Sequence, residues 1–579
     1  MALAAARAAG AAPLPVSLLG DNPLAALEPH GDLARFGVTT VKVEGQPFDE
    51  ALRVEVRESA PAVWDAQLRA KCTAPVAKGD VLHIEYWVRA VSTASEIAEV
   101  SFLNAVQLDR KPWTHVFDES PKFGIPDGWT ALQRVVVSKQ SFKAGEYVFN
   151  IQFGGLDPQT FEIGGLHFLN YGPAYDASGL PVSKRRPYAG SEPDAPWRAA
   201  ALERIERIRK TDLSVRVLGA GGAPVKDAKV EIEMTRHAFG WGAAMYAWLF
   251  ASDTPDAARY REEFLRNFNL LVPENGLKWK AWEQPKSRDA TMRMLGWARE
   301  NGCEVRGHTL VWPSFGRNPE SVARLRTDPE SLRAAIRGHI ADIVPATRGM
   351  IRAWDVINEP TTNHEFMDIL GADVVGEWFR QAHELDPQAQ LFLNENQVLA
   401  GTKLKSFELW ADCIVASGGE LGGLGIQGHL GYGTCAPERM LEIFTRLHDR
   451  FRVPLSITEL DVNVKDPADQ AQYLRDVLIA AFSHPAVDSV TFWGFWDGRH
   501  WLNNSPLYAK DWSEKPACKV FRQLVHDDWR TRATLATGAD GTVSLRAFKG
   551  RYRVAITLPD GTVRTHSINL TEPTTLDVD

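Results

Sequence analysis

Cysteine is scarce in this chain. Five thiols, Cys72, Cys303, Cys413, Cys435 and Cys518, are spread over 579 residues without a Cys-x-x-Cys pair or a Cys/His cluster, so neither a disulfide framework nor a metal site is expected. Long apolar runs are missing as well. No stretch reaches the roughly 20 residues needed to cross a bilayer, which argues against a membrane partner. Positive charge is not in excess: 65 Lys and Arg stand against 73 Asp and Glu, a formal net charge of -8. That balance supplies no field for a polyanion and argues against nucleic acid. The Ala- and Leu-rich start, Met1 to Gly20, is interrupted by Arg7, Pro13 and Pro15, which makes it a poor export signal. Tryptophan, by contrast, is plentiful, with nineteen residues. Most Trp in any chain are core, but indole faces also pack well on the C–H faces of sugars, so a neutral carbohydrate substrate fits the composition.

The length calls for several domains, each with its own core. After an N-terminal segment (1–30), residues 31–172 read as short alternating segments, such as Leu82-His83-Ile84-Glu85-Tyr86-Trp87-Val88, broken by Gly, Pro and Asp. This is the pattern of an antiparallel β-sandwich of jelly-roll type. Residues 173–198 hold five prolines and the basic cluster Lys184-Arg185-Arg186 and read as a linker. A charged helix and a β-rich piece follow over 199–235, with a turn at Gly219 to Gly222.

From 236 to 529 one pattern recurs eight times: an apolar run of strand length, then an amphipathic segment of helix length. The runs contain His237–Met245, Leu270–Asn275, Val305–Trp312, Ala353–Glu359, Leu391–Asn396, Leu424–Leu430, Leu455–Val462 and Val490–Asp497. Such alternation predicts an α/β fold with a parallel sheet, and eight units suggest a closed (β/α)8 TIM barrel. An open doubly wound sheet is the alternative, although no glycine-rich nucleotide turn follows the first strand. Residues 530–579 return to strand-like alternation and could pair with 211–235 as a small flanking β-rich domain.

In such a barrel the reactive groups sit where strands end. Here the ends read Pro273-Glu274-Asn275, His308 to Trp312, Asn358-Glu359-Pro360, Asn394-Glu395-Asn396, Gln427 to His429, Glu459 to Asp461 and Trp493 to Asp497. So many ionisable groups after buried runs would be costly without a purpose. Two carboxyl groups flanking a sugar ring are the minimum for glycoside hydrolysis: one protonates the leaving oxygen and the other acts at the anomeric carbon. Glu359 and Glu459 lie on strands three apart, across the barrel mouth. A separation of roughly 5–5.5 Å would give retention and roughly 6.5–9.5 Å inversion, which the sequence leaves open. Pro360 is expected to hold Glu359 extended. Because side chains alternate along a strand, Glu459 and Asp461 share a face, and so do Gln427 and His429 on the strand beside them, within reach of a trio in which His429 bridges the two carboxylates.

Trp354-Asp355-Val356-Ile357-Asn358-Glu359-Pro360 resembles the acid/base motif of family 10 glycoside hydrolases, and Ile457-Thr458-Glu459-Leu460-Asp461 resembles that family's nucleophile motif. The likeness extends in order through Glu274 to Trp279, Arg306 to Trp312, Gly425 to His429 and Thr491 to Asp497. It implies a retaining endo-β-1,4-xylanase acting on xylan and xylo-oligosaccharides, with Glu359 as acid/base and Glu459 as nucleophile. It further implies Asp461 in support, Asn358 on the sugar 2-hydroxyl, and Glu274, Asn275, Lys278, His308, Gln427 and His429 on sugar hydroxyls. Trp312, Trp493 and Trp501 would cage the cleaved sugar. No cofactor is implied. The family is expected to be secreted or periplasmic, and a monomer is expected. Pro313 replaces the His that many members carry, which affects the shape of that loop. The N-terminal sandwich is similar to family 22 carbohydrate-binding modules through Trp64 to Leu68, Phe153-Gly154 and Ile163 to Leu166, with Trp113, Phe117 and Trp129 as candidate sugar-holding aromatics. The same mechanism on another β-glycan or β-glycoside, and a carbohydrate-binding protein with little turnover, are the competing readings.

Overall fold

The computed structural model describes residues 15–95, 99–183, 188–431 and 433–579. Most of the Ala-rich start and the Lys184-Arg185-Arg186 cluster lie outside the described residues. The chain divides into two compact units, Met1–Arg186 and Pro187–Asp579. Among the described residues no helix is long and apolar enough to cross a membrane.

The first unit packs two antiparallel sheets. One runs Thr130–Val137, Asp80–Thr93, Gln159–Pro173, Glu50–Val56, Phe36–Lys42, and the other Glu28–Gly31, Ala66–Lys71, Tyr147–Gln152, Leu103–Leu108, His115–Glu119. Alternation decides which side faces in: Ala66, Leu68 and Ala70 enter the core while Arg69 and Lys71 point out, as a half-buried strand requires. The sandwich begins before residue 31, because Val16–Ser17 pairs with Gln159–Pro173 and Glu28–Gly31 pairs with Ala66–Lys71. The second of these is an edge strand, Glu-Pro-His-Gly, exposed throughout. It has no alternation to detect, and an edge tolerates its proline.

The second unit is built around the barrel. Its strands are Gly240–Met245, Leu270–Pro273, Glu304–Val311, Ala353–Asn358, Gln390–Glu395, Gly423–Ile426 (continued by His429–Leu430), Leu455–Val462 and Val487–Phe492. They pair in parallel in that order, and the last returns to the first. Closure excludes the open sheet. Residues of strand four are buried throughout, as are those of strand seven, which is why parallel strands read as continuous apolar runs. The outer helices start on strong local signals. Asp466 caps Pro467–Ser483 by accepting from the Ala468 and Asp469 amides, and Asp328 caps Pro329–Thr347, each with proline at the first helical position.

Strands on either side of the barrel form one small flanking sandwich. Lys210–Val217 pairs with Thr542–Phe548 and Thr574–Val578, and Lys229–His237 pairs with Arg532–Ala536 and Gly550–Thr557. His237 therefore belongs to this flank, not to barrel strand one as the apolar run suggested. The reading of 173–198 as one linker also changes at its C-terminal end. Tyr188 donates to Asp476 (2.7 Å), Arg198 pairs with the same carboxylate (2.8 Å), and helix Pro196–Arg209 begins there. Asp476 is buried, and an unpaired charge at such a place would be costly, so this stretch is held to the barrel.

Candidate active site

At the C-terminal ends of the strands the polar residues converge. Glu459 is buried on strand seven. Its Oε1 accepts from Asn394 Nδ2 (2.8 Å) and lies 3.9 Å from His308 Nδ1, while Oε2 is 3.3 Å from His429 Nε2. The other nitrogen of His429 donates to Asp461 (2.7 Å). The imidazole thus spans two carboxylates, the trio that strand alternation suggested. The route differs, however. Strand six breaks after Ile426, and Gly428 adopts φ +79°, a left-handed conformation suited to glycine. This break lets Gln427 turn to Glu359 while His429 turns to Glu459.

Charge explains how this wall behaves. Burial alone would push the Glu459 carboxyl up, but His308, the His429 hydrogen bond and Lys278 overcome it and hold Glu459 below the ordinary carboxylate range. Burial likewise opposes ionisation of Asp461, which hydrogen bonds from His429 and His500 hold low. His429 is raised to about 10: burial opposes its charge, and Asp461 and Glu459 outweigh the burial. At neutral pH the wall is therefore carboxylate, imidazolium, carboxylate. Asp461 also accepts from His500 (2.9 Å) and from the indole N–H of Trp501 (2.8 Å), whose ring lies 5.0 Å from that of His429. Asp497 pairs with Lys515 (2.8 Å) and accepts from the Ser505 amide (2.6 Å), bracing the loop that carries His500 and Trp501.

Glu359 follows the last residue of strand four. Its amide donates to the Asn394 carbonyl (2.8 Å), continuing the ladder by one bond. It is not extended: φ is +55°, a conformation that costs a non-glycine residue about 1–3 kcal/mol and persists only where the surroundings enforce it. The bias that Pro360 places on its predecessor is overridden by the turn that follows, in which the Thr362 and Asn363 amides donate back to the Glu359 carbonyl (3.3 and 3.0 Å). The carboxyl group accepts from Gln427 (2.9 Å) and Asn363 (3.2 Å). Asn358 joins the two sides, since its Oδ1 accepts from Asn394 (2.9 Å) and Gln427 (3.4 Å).

The remaining expected residues gather on the first three strand ends. Glu274 accepts from Asn275 (3.0 Å) and Arg499 (3.1 Å), and Asn275 accepts from Lys278 (2.8 Å). The Lys278 ammonium lies 5.2 Å from the centre of Trp312 and 5.8 Å from that of Trp493. Burial lowers its pKa, against the pull of Glu459, Glu274 and Glu359. His308 donates from Nδ1 to the Asp355 carboxylate (2.9 Å) and meets Trp493 edge-on at 5.1 Å. The Pro313 loop is tied down by Glu365, which accepts from Ser314 (2.7 Å) and the Phe315 amide (2.9 Å). In the first unit Trp64 and Trp113 are exposed, Phe117 packs partly on the core, and Trp129 meets Phe48 edge-on at 5.1 Å.

Several members of the site were not singled out from the sequence. Asn394 is central, with both Glu459 and Asn358 on its amide nitrogen and Thr458 donating to its Oδ1 (2.6 Å). Gly425 makes this possible, because a Cβ there would lie 2.5 Å from that oxygen. Asp355, opposite His308 in the strand register, forms a buried pair with Arg306, and an Arg and an Asp inside neighbouring apolar runs were a legible signal. His500 and Asn363 sit on loops, where no periodicity marks them.

A model of glycosyl hydrolase family 10 matches residues 233–524. Among curated relatives, an anti-sigma-I factor (RsgI6) of Acetivibrio thermocellus is 30% identical over 384 residues, 65% of this chain and 48% of the relative. Endo-1,4-beta-xylanase 1 of Arabidopsis thaliana is 29% identical over 364 residues, 61% and 37% respectively. A beta-1,4-xylanase of Dictyoglomus thermophilum is 30% identical over 279 residues, 44% of this chain and 78% of the relative. The chain spans less than half the length of the first two of these relatives.

Proposed function

The chain belongs to glycosyl hydrolase family 10, and on that premise we propose that it is a retaining endo-β-1,4-xylanase, with Glu459 as nucleophile and Glu359 as acid/base. The observation that carries this reading is the contrast between two carboxyl groups joined through Asn394 and Asn358. One has the His429 imidazolium and the Lys278 ammonium acting on it beside the Asn394 amide; the other takes its side-chain hydrogen bonds from neutral amides alone.

In the first step Glu459 Oε attacks the anomeric carbon while Glu359 gives its proton to the leaving glycosidic oxygen, so the C–O bond breaks as the ester forms. Glu459 loses its charge in forming that ester. Asp461 still neutralises the His429 imidazolium, so no buried cation is left unpaired. In the second step Glu359 takes a proton from water, which displaces Glu459 from the same face that the aglycone left, and the configuration is retained. Asn358 uses its Oδ1 on Asn394 and Gln427, leaving its amide nitrogen to donate to the sugar 2-hydroxyl. Lys278, Asn275, Glu274 and His308 would bind hydroxyls on the glycone side, with Trp312, Trp493 and Trp501 around the cleaved sugar. Xylan and xylo-oligosaccharides are the proposed substrates, met outside the cytoplasm by a monomer, with no cofactor. The first unit would hold the polysaccharide through exposed Trp64 and Trp113.

NMR of the first products from xylohexaose tests the mechanism: β-configured reducing ends are expected, and α-configured ones would overturn it. Initial rates on glucuronoxylan, arabinoxylan and mixed-linkage glucan test the substrate; faster release from the glucan would replace xylan. A second reading is a glycan-binding protein with little turnover, for which the exposed Trp64 and Trp113 of the first unit would serve as the binding aromatics. Absence of sugar release from any of the three polymers, with binding retained, would favour it over the first.

A further inference from the structure

Glu359 has an unusual backbone, and the loop after it is tied to strand five by charge. Pro360 has no N–H to donate. The next amide, Thr361, donates not to a carbonyl but to the carboxylate of Glu395 (3.0 Å), the last residue of strand five. The other oxygen of Glu395 accepts from the Asn396 amide (2.9 Å) and from the Lys403 ammonium (3.1 Å). Both residues are buried. Lys403 completes its shell with Asn396 Oδ1 (2.5 Å) and Thr362 Oγ1 (3.4 Å). Glu395 and Lys403 thus grip two successive residues of the loop, Thr361 and Thr362. That loop continues into Asn363, whose amide and side chain return to the Glu359 carbonyl and carboxylate (3.0 and 3.2 Å).

A buried ion pair is a poor way to gain stability, since desolvating two charges consumes most of their attraction. It is a good way to fix one geometry, and here the geometry it reaches is the left-handed turn at Glu359. We propose that Glu395 and Lys403 are positioning residues for the acid/base. They touch no reacting atom. They hold the Pro360–Asn363 loop so that Glu359 keeps φ +55° and its carboxyl group stays aimed between Gln427 and Asn363. The inference rests on the proposed role of Glu359.

The test compares E395Q, K403M and the double variant E395L/K403M, which replaces the buried pair by apolar groups of similar size and so is expected to fold. Each is assayed on aryl β-xylobiosides whose leaving groups span phenol to 2,4-dinitrophenol. A positioning role predicts that kcat/KM on the phenyl glycoside falls about 10- to 100-fold, a fraction of what general acid catalysis contributes. On the dinitrophenyl glycoside, which departs without protonation, kcat/KM stays within about twofold. Sodium azide should restore kcat on the activated substrate. Equal losses on all leaving groups in folded protein, or no loss in the double variant, would overturn the proposal. The E359A variant decides the premise separately: if its loss in the same assay shows no dependence on leaving group, the acid/base role itself fails, whatever the three variants do.

Discussion

Around Glu459 the neutral Asn394 amide is joined by partners that are ionic or can become so: His308, His429, Lys278 and, through the imidazole, Asp461. Around Glu359 the side-chain hydrogen bonds come from the carboxamides of Gln427 and Asn363, and the charged pair Glu395–Lys403 acts one step away, on the loop. The difference suits the roles proposed for the two groups. A nucleophile must remain ionised beside an acid that is about to donate, so cations are built against it. An acid/base must be protonated in one step and ionised in the next, so its direct side-chain hydrogen bonds come from neutral groups that control its direction.

Removing the charged wall's centre should have the largest effect. Glu459→Gln is expected to lower kcat/KM by about 10⁴-fold or more on every substrate, whatever its leaving group, with the thermal midpoint little changed. Activity within tenfold of wild type would mean that the nucleophile lies elsewhere. Glu359→Ala should be selective: a loss of about 10²- to 10⁴-fold on the phenyl xylobioside and little on the dinitrophenyl one, read as a plot of log kcat/KM against leaving-group acidity.

The contrast sharpens at the supporting residues. His429 lowers the Glu459 carboxyl, and in the proposed mechanism only ionised Glu459 attacks. The acid limb of kcat/KM in the wild type therefore lies below where an unassisted carboxylate would put it. His429→Gln removes a cation, so the limb should move to higher pH, with kcat/KM lost at the wild-type midpoint and recovered at higher pH. Gln427→Ala removes a neutral donor from Glu359 and should lower kcat/KM while leaving that limb in place. A shift of equal size in both variants would erase the distinction between the walls.

The smallest effect separates titration of the site from melting of its scaffold. Burial holds His237 and His339 at about 3 and His484 and His526 at about 4. The unfolded chain protonates these residues near 6.5 and the folded one does not, so the stability they contribute at neutral pH is lost as pH falls from about 6.5 towards 4. The depressed carboxylates Asp355, Glu459 and Asp461 contribute stability that is present above the ordinary carboxylate range and is lost only at lower pH. His429, raised to about 10, contributes stability that is fully present below about 6.5 and is lost as pH rises through about 10. Calorimetry should show the thermal midpoint falling by several degrees from pH 7 to pH 5, and unchanged midpoints there would mean that these histidines already titrate in the folded protein.

Much of this was legible before any coordinates. Eight apolar runs with polar ends specify a barrel and point to its reactive face, because parallel strands are buried along their length and their C-terminal ends open on the cleft. That rule reached Glu274, His308, Asn358, Glu359, Gln427, His429, Glu459 and Asp461. It was silent on loops, where His500 and Asn363 sit, and it missed the importance of Asn394, whose role depends on two other strands and on a glycine at 425. It also misjudged Glu359, whose backbone is decided by hydrogen bonds that close a turn and not by the proline beside it.

The sequence by itself determined the periodicity, and with it the barrel, the sandwich and the identity of the groups at the strand ends, because these depend on local order along the chain. Only the tertiary structure decided which carboxyl group hydrogen-bonds to a histidine and which to neutral amides alone, how strand six breaks to aim Gln427 and His429 in two directions, and that Glu395 and Lys403 grip the loop after Glu359. Each of those depends on distances between strands, and a linear pattern carries no information about them until the barrel closes.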